Sequence, residues 1–250
     1  MASEIVKQNY LPLAAGVQVG AMPHSTAQSS LTYAHALIYG YHGVGKSFML
    51  KTWPKEAGNV YMMDCGCESD GINEEHIYYE KVQSYMDVLN RIAYLQKSLE
   101  AKPDIFKLVW VDNLTEMQRW LLQTACGAEV PEKRHWGIVL SQMEVIIRNI
   151  LSLPCHSVFI AHENEWQGSY SPYLDGRLKT EILGKFSIIG RMIHKQVEKP
   201  RTDLSKPIEM TDVRAIQFEK TNLAFARVRG GKLPAMMLPN IYEIVKTYQS

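Results

Sequence analysis

The chain has 250 residues, of which 46% are hydrophobic, and a formal net charge of +1. This length and composition are enough to bury a full core, and they fit one large α/β domain better than two small ones. The near-zero charge excludes the broad basic surface of a strongly cationic nucleic-acid-binding protein, although a local basic groove remains compatible with it. Four cysteines stand at spacings that indicate neither a disulfide framework nor a paired zinc site: Cys65, Cys67, Cys126 and Cys155.

The beginning of the chain differs in composition from the rest. Residues 1–30 hold two prolines, two glycines and a Ser/Thr/Gln cluster, which predicts a loosely structured leader before a single domain over residues 31–250. No basic-then-apolar signal pattern is present, and no apolar run approaches the ~18 residues that span a bilayer. We therefore expect a cytoplasmic protein with reduced cysteines and no membrane partner.

The first predicted strand leads into the strongest motif of the sequence. The apolar stretch 36–39 predicts the strand, and residues 40–47 directly after it read G-x-x-x-x-G-K-S, the pattern of a phosphate-binding loop. Glycines let backbone N–H groups turn toward phosphate oxygens, and the start of the following helix adds its positive dipole end. The pattern predicts bound ATP and Mg²⁺, with Lys46 reaching the β- and γ-phosphates and the Ser47 hydroxyl binding the metal. The predicted nucleotide-binding residues are Gly40, His42, Gly43, Val44, Gly45, Lys46, Ser47 and Phe48.

Strands and helices alternate after the loop. Apolar runs predict strands over 59–64, 105–112 and 157–162, and three- and four-residue apolar spacing predicts amphipathic helices over 85–99 and 137–151. Apolar alternation over 214–218 and 223–228 predicts further strands that can pair antiparallel at the sheet edge. The predicted fold class is therefore α/β: a mainly parallel sheet flanked by helices, with ligands at the carboxyl ends of its strands.

Polar residues at these strand ends are the candidates for catalysis. Asp112 ends an apolar strand, where an acidic residue would hold Mg²⁺ beside Ser47; it can also cap the helix that begins there. The next residue is Asn113, so the second carboxylate that many ATPases use to polarise the attacking water is missing. The general base must come from elsewhere. Its candidates are Glu68, which is favoured, Asp64 and Glu116.

Three further residues are candidates for sensing the nucleotide. His162 closes a strand, where its side chain would sense the γ-phosphate and relay its loss to the loop that follows; the alternative is a core histidine bonded to backbone. Arg227 and Arg229 stand two apart on a predicted strand and so share one face. They would reach a neighbouring subunit's nucleotide as arginine fingers, or else form an exposed basic hairpin.

Four segments carry a resemblance to a known family. They are I-Y-G…G-K-S at 38–47, V-W-V-D at 109–112, L-P-C-H-S-V-F-I-A-H-E at 153–163 and A-R-V-R-G-G-K-L at 226–233. In this order they resemble the RecA-like phage ATPases of the Sak-four single-strand-annealing type, over roughly residues 35–245. The resemblance implies a RecA-like P-loop core that hydrolyses ATP, binds single-stranded DNA and assists annealing, recombination or repair, in the host cytoplasm if phage-encoded. It further implies a homo-oligomer with ATP at subunit interfaces, and a single-strand-binding protein as partner.

The chain also departs from that family's pattern. The paired basic element is K-x-R in related proteins, whereas Arg227 replaces the lysine here. Relatives show Asp-x-Glu at the end of the second strand, whereas Asp64 is followed by Cys65 and Gly66. The segment after His162 corresponds to the loop that contacts DNA in RecA-like proteins, and it interleaves aromatic and cationic residues as single strands require. These residues are Trp166, Tyr170, Tyr173, Arg177, Lys179 and Lys185; the alternative is a surface lid over the nucleotide.

Two other functions share the phosphate-binding loop. A small-molecule or nucleotide kinase would need an acceptor pocket and an arginine-rich lid, but residues 163–185 carry only Arg177. A nucleotide-dependent scaffold with little turnover is compatible with the missing carboxylate at Asn113.

Overall fold

A computed structural model describes residues 33–66, 69–175, 177–198 and 210–250. The leader predicted over residues 1–30 lies outside the described residues. The strands of the described part are β1 (His35–Gly40), β2 (Val60–Asp64), β3 (Ile77–Lys81), β4 (Leu108–Asp112), β5 (His156–Trp166), β6 (Ser169–Pro172), β7 (Ile188–Glu198), β8 (Met210–Gln217), β9 (Arg227–Val228) and β10 (Met236–Met237). The α-helices are α1 (Tyr85–Ala101), α2 (Leu114–Cys126), α3 (Lys133–Leu151), α4 (Leu178–Glu181) and α5 (Ile241–Gln249), and 3₁₀ helices occupy Ser47–Thr52, Lys55–Ala57 and Leu183–Lys185.

The described strands form one sheet in the order β10-β8-β7-β1-β5-β4-β2-β3. The six strands from β7 to β3 are mutually parallel. Antiparallel pairing joins β8 to β7, β10 to β8 and β9 to β7, and β6 folds back on β5. The predicted fold class, a mainly parallel sheet with antiparallel strands toward the C-terminal edge, is confirmed.

Apolar side chains cover both faces of the sheet, because strands in a parallel sheet are buried on both sides. One face packs against the apolar stripes of α1, α2 and α3, through residues such as Leu95, Met117 and Ile146. The other packs against the 3₁₀ helix Ser47–Thr52 and against α5, through Leu50 and Ile244. The central strands are therefore held rigidly from both sides, and the loops at their carboxyl ends are held in place with them.

The segment after the phosphate-binding loop differs from the predicted helix. Residues Ser47–Thr52 form a 3₁₀ helix of six residues, and Trp53 after it is extended. Pro54 follows, and a proline disfavours helical backbone in the residue before it. The Thr52 hydroxyl donates to the Met49 carbonyl at 2.7 Å, which also closes this short turn.

The other predicted elements differ mainly at their ends. β4 begins three residues later than predicted, α3 begins four residues earlier, and β5 continues four residues beyond His162. Of the strand predicted over 223–228, only β9 (Arg227–Val228) is present. Within the described ranges, no helix is long and apolar enough to cross a membrane.

Candidate active site

The phosphate-binding loop leaves β1 at Gly40 and turns back through two glycines with left-handed backbone. Gly43 has φ 72° and Gly45 has φ 99°, backbone angles that residues other than glycine rarely adopt. A Cβ at position 43 would meet nothing within 4 Å, so the loop opens toward free space on that side. Successive left-handed and right-handed residues direct N–H groups into one concavity, which is the usual geometry of an anion site.

Lys46 is buried in this loop. Its Nζ donates to the carbonyls of Gly40 and Tyr41, both at 2.9 Å, and 6% of the residue is exposed. A buried ammonium is stable only when its N–H donors have hydrogen-bond acceptors, and these two carbonyls are such acceptors. The same hydrogen bonds hold the loop closed around the charge. The lysine is thus held in place at the edge of the cavity beside the loop.

A cavity of about 280 Å³ lies beside the loop, at the carboxyl ends of β4 and β5. Its volume is near the lower end for ligand sites, and its position is where parallel α/β sheets bind ligands. It brings together predicted residues from the loop, from β4 and from β5, and adds Asp70, which was not predicted. The lining residues are His42, Gly43, Gly45, Lys46, Ser47, Phe48, Asp70, Asp112, Asn113 and His162.

The residues predicted to hold Mg²⁺ line this cavity together. Asp112 ends β4 with 1% exposure, and its Oδ2 accepts from Trp110 Nε1 at 3.3 Å. The Ser47 hydroxyl makes no hydrogen bond to another residue that the structure describes, so it can serve as a ligand. Hydroxyl and carboxylate oxygens are the hard donors that Mg²⁺ prefers, and it takes its remaining ligands from phosphates and water. One hydroxyl and one carboxylate therefore fit Mg²⁺ that is bound together with a nucleotide. Among the described residues, no group of three or more His, Cys, Asp or Glu is placed to hold a metal ion.

His162 faces the phosphate-binding loop from the end of the parallel part of β5. Its ring stacks on His42 at 3.8 Å between centroids, and its Nε2 lies 3.3 Å from Nδ2 of Asn113. Burial, reinforced by the charges of Lys46, His42 and Arg119, lowers the pKa of His162 to about 4. The imidazole is therefore neutral near pH 7. Its backbone N–H donates to the Thr115 hydroxyl at 3.0 Å. Its ring makes no hydrogen bond to the backbone of any residue that the structure describes.

The candidate general bases have different surroundings. Glu68 lies outside the described residues, and its role stays a prediction. Asp64 is 1% exposed, and its two carboxylate oxygens accept from the backbone N–H groups of Gly66 and Ser69, at 3.3 and 3.2 Å. Glu116 receives two hydrogen bonds from Arg119, and its Oε1 lies 3.8 Å from Nε2 of His162.

Arg227 and Arg229 lie away from this cavity. Both donate to the Phe186 carbonyl, Arg227 at 2.9 Å and Arg229 at 3.1 Å, so they do share one face. Strand β9 pairs with Ile188 and Ile189 of β7, whereas Gly40 is level with Met192. Three to four residues of strand, about 10–13 Å, separate the two levels. Within one chain these arginines hold the turn before β7 and do not reach the phosphate-binding loop.

The predicted DNA-contact residues divide into two groups. Tyr170 and Lys185 are engaged: Arg191 covers the Tyr170 ring at 3.5 Å, and Lys185 pairs with Glu144 at 3.0 Å. The β5–β6 hairpin and the residues after it leave the others exposed. These are Trp166, Tyr173, Arg177 and Lys179.

A partly buried ion pair that the sequence did not predict lies beside the loop. Arg191 on β7 donates to both carboxylate oxygens of Glu163, at 2.6 and 3.1 Å. The pair lines a second cavity, of about 340 Å³, on the β7 side of the phosphate-binding loop. The apolar start of β7 at Ile188 and Ile189 was the available signal for this strand, and Glu163 follows His162 directly in sequence.

Comparison with known families gives one match and one absence. A family model described as an AAA domain matches residues 32–230, which include β1 through β9 and every described residue of the site. No curated protein matches the chain.

Proposed function

Because the chain belongs to the AAA domain family, we propose that it binds ATP with Mg²⁺ beside the phosphate-binding loop and hydrolyses it to act on single-stranded DNA. The observation that carries the ATPase half is the convergence of Lys46, Ser47 and Asp112 on one cavity. One cation for the phosphates and two oxygen donors for the metal are the parts that phosphoryl transfer requires. The resemblance to single-strand-annealing ATPases supports the DNA half.

Each residue of the cavity has a separate task in this proposal. The Lys46 ammonium binds the β- and γ-phosphates, for which it exchanges carbonyl contacts within the loop. Ser47 and Asp112 hold Mg²⁺, which neutralises charge on the phosphate oxygens when it is bound. The neutral His162 and the Asn113 amide stand where hydrogen-bonding groups can contact the γ-phosphate. Glu68 remains the favoured base, and Asp64 and Glu116 remain alternatives.

The exposed residues after His162 support the DNA-binding half. Trp166 is 69% exposed at the tip of the β5–β6 hairpin. The exposed side chains of Tyr173, Arg177 and Lys179 follow it, and base stacking on aromatic rings combined with cations for the phosphates is the usual basis of sequence-tolerant single-strand binding.

A hydrogen-bond network connects this exposed segment to the cavity. The Thr115 hydroxyl accepts from the His162 backbone at 3.0 Å and donates to the Tyr173 carbonyl at 3.1 Å. The Tyr173 N–H donates to the His162 carbonyl at 2.8 Å. A shift of His162 on loss of the γ-phosphate would therefore displace Tyr173, which gives hydrolysis a route to the DNA-binding segment.

We further propose that the active protein is a homo-oligomer in which Arg227 and Arg229 act on a neighbour's nucleotide. Their distance from the phosphate-binding loop of their own chain means that any action on a nucleotide needs a second copy. A single-strand-binding protein remains the proposed partner.

The first test is ATP hydrolysis with and without single-stranded DNA, measured across protein concentration. Lys46→Ala should abolish turnover, and Lys51→Ala, which removes an exposed cation from the next turn, should not. DNA stimulation that rises with concentration supports the proposal. Turnover that ignores both DNA and concentration contradicts its DNA half and favours the kinase or the scaffold.

Two matched arginine variants test the DNA-binding segment. Arg177 and Arg148 have side chains 82% and 74% exposed, and each lies 4.0 Å from a glutamate one helical turn away. Arg177→Ala should weaken single-strand binding and lower its salt dependence, whereas Arg148→Ala should do neither. Equal effects of the two variants would remove the segment from the proposal.

Mixing two inactive variants tests the action of the arginines in trans. One subunit carries Lys46→Ala with intact arginines, and the other carries Arg227→Ala and Arg229→Ala with an intact loop. In a random mixture roughly a quarter of head-to-tail interfaces would join an intact loop to intact arginines, so activity should return to about that share. A mixture as inactive as its parts, formed from variants that remain folded and assembled, would show that the arginines do not act in trans.

A further inference from the structure

The β7–β8 hairpin continues past the end of the sheet beside the phosphate-binding loop. β1 ends at Gly40, level with Met192, but β7 runs on to Glu198 and pairs with β8 as far as Met210. The six extra residues of β7 span about 20 Å. His194 and Arg214 are directly opposite each other in this extension and so point to the same face. His194 lines the cavity against His42 and Gly43, so this face is turned toward the loop.

The guanidinium of Arg214 lies against the backbone of Gly45. A Cβ at position 45 would be 2.7 Å from Nη1 and 3.3 Å from Cζ of Arg214, distances that no side chain could occupy without displacing it. Glycine at this position therefore serves two purposes: it adopts φ 99°, and it leaves room for a cation from the hairpin.

This guanidinium makes no hydrogen bond and no ion pair within the described part of the chain. Glu163, a partly buried carboxylate that lines the same cavity as His194, is bound at both oxygens by Arg191. Asp212 shares the face of Arg214 two residues away but forms no ion pair with it. Lys46 already brings one positive charge to the loop. A second cation held there without an anionic partner raises the local potential in favour of a bound anion.

We propose that Arg214 is a nucleotide-binding residue of the same subunit, whose guanidinium contacts the phosphate chain from the β7–β8 hairpin. The inference rests on the proposed function, since the anion is the nucleotide held by the phosphate-binding loop. Guanidinium donors bind phosphate oxygens in pairs, which an ammonium cannot do. Arg214 thus acts within its own subunit, in contrast to Arg227 and Arg229.

Calorimetric titration with Mg²⁺–ATP, Mg²⁺–ADP and AMP tests this assignment. Loss of charge-assisted hydrogen bonds in Arg214→Ala should weaken ATP and ADP binding by roughly 10- to 100-fold and AMP binding less. Arg214→Lys should restore part of the loss. Lys195→Ala is the matched control, because Lys195 is an exposed cation on the opposite face of the same hairpin, and it should leave every affinity within about twofold.

The outcomes separate this inference from the proposed function. If the wild-type protein binds no nucleotide, or Lys46→Ala leaves ATP affinity unchanged, the proposed function fails and the inference fails with it. If Lys46→Ala weakens ATP binding but Arg214→Ala does not, only the role of Arg214 is wrong. A purely structural role predicts a lower unfolding midpoint and equal losses for ATP, ADP and AMP; that result would also overturn the assignment. Should Arg214→Ala fail to fold, Arg214→Gln retains the length of the side chain and decides by the same measurement.

Discussion

His162 should make the stability of the fold depend on pH, and His162→Gln should remove the part of that dependence that comes from this residue. The residue is 5% exposed, with its ring stacked on His42. Burial and nearby positive charge lower the pKa of His162 to about 4, because protonation would place a cation in a closed site that already holds Lys46. Glutamine preserves an amide opposite Asn113 but does not titrate.

The direction of the effect follows from the two protonation equilibria. In the unfolded chain the histidine titrates near 6.5, so between pH 6.5 and about 4 the unfolded state binds the proton and the folded state does not. The stabilisation is fully present above pH 6.5 and is lost as the pH falls through this window. A difference of this size at about 1.4 kcal/mol per pKa unit corresponds to roughly 3 kcal/mol. His156, whose pKa burial also lowers to about 4, contributes in the same window and remains in the variant.

Urea unfolding followed by circular dichroism between about pH 4 and pH 7.5 measures the effect. The free energy of unfolding of His162→Gln should change with pH less steeply than that of the wild type, by up to about 1.4 kcal/mol per pH unit in the middle of the window. His194→Gln removes an exposed histidine and controls for the loss of one histidine from the unfolded chain. Parallel curves for His162→Gln and the wild type would show that the imidazole is not held neutral by its site.

Three further predictions concern the loop, the metal ligand and the cysteines. Gly45→Ala should lower the free energy of unfolding by about 1–3 kcal/mol and weaken ATP binding, because alanine is strained at this φ and displaces Arg214. The control is Gly137→Ala in α3, which has open space around it and should stabilise the fold by about 0.5–1 kcal/mol. Equal shifts of the thermal unfolding midpoint in the two variants would contradict both expectations. Asp112→Asn should lower the affinity for Mg²⁺ in the presence of ATP at least about tenfold without unfolding the protein, as titration of the metal would show, and an unchanged affinity would remove Asp112 from the site. Burial, with the charges of Asp112 and Asp64, raises the pKa of the Cys65 thiol. In the native protein Cys65 should therefore be alkylated far more slowly than the partly exposed Cys126, as residue-resolved mass spectrometry would show. Equal rates would show that the turn after β2 opens.

The central part of the fold could be predicted because its signals are local. β1, β2, β4 and the parallel part of β5 each contain a continuous apolar run followed by a glycine or a polar residue, and parallel strands must align those ends at one edge. That rule alone places Lys46, Asp112 and His162 in one site before any coordinates are known. The general base stayed undecided, because no local pattern in the sequence distinguishes Glu68 from Asp64 and Glu116.

The strands that were missed depend on partners far away in sequence. β3 reads Ile-Tyr-Tyr-Glu-Lys and has one buried residue at its start, because it lies at the edge of the sheet and has a neighbour on one side only. β7 was missed although it begins with apolar residues, because its second half is polar. That half is a strand because it pairs with β8, which stands beyond residues 199–209 in the sequence. Such strands form where a long-range partner exists, and single-sequence patterns do not report that partner.

The missed hairpin explains why the site was incomplete when it was derived from strand ends alone. Residues at the carboxyl ends of β1, β4 and β5 surround the cavity from the sheet, but a phosphate-binding loop also has a side that faces away from them. β7 and β8 cover that side with Arg191, His194 and Arg214, on a hairpin that pairs with β1, β9 and β10. The part of this hairpin beyond Met192 lies past the end of β1, so a shift of that part breaks no pairing of β1 with β5 or with β7. The side of the nucleotide that faces the hairpin is therefore where a conformational response to binding costs the fold least.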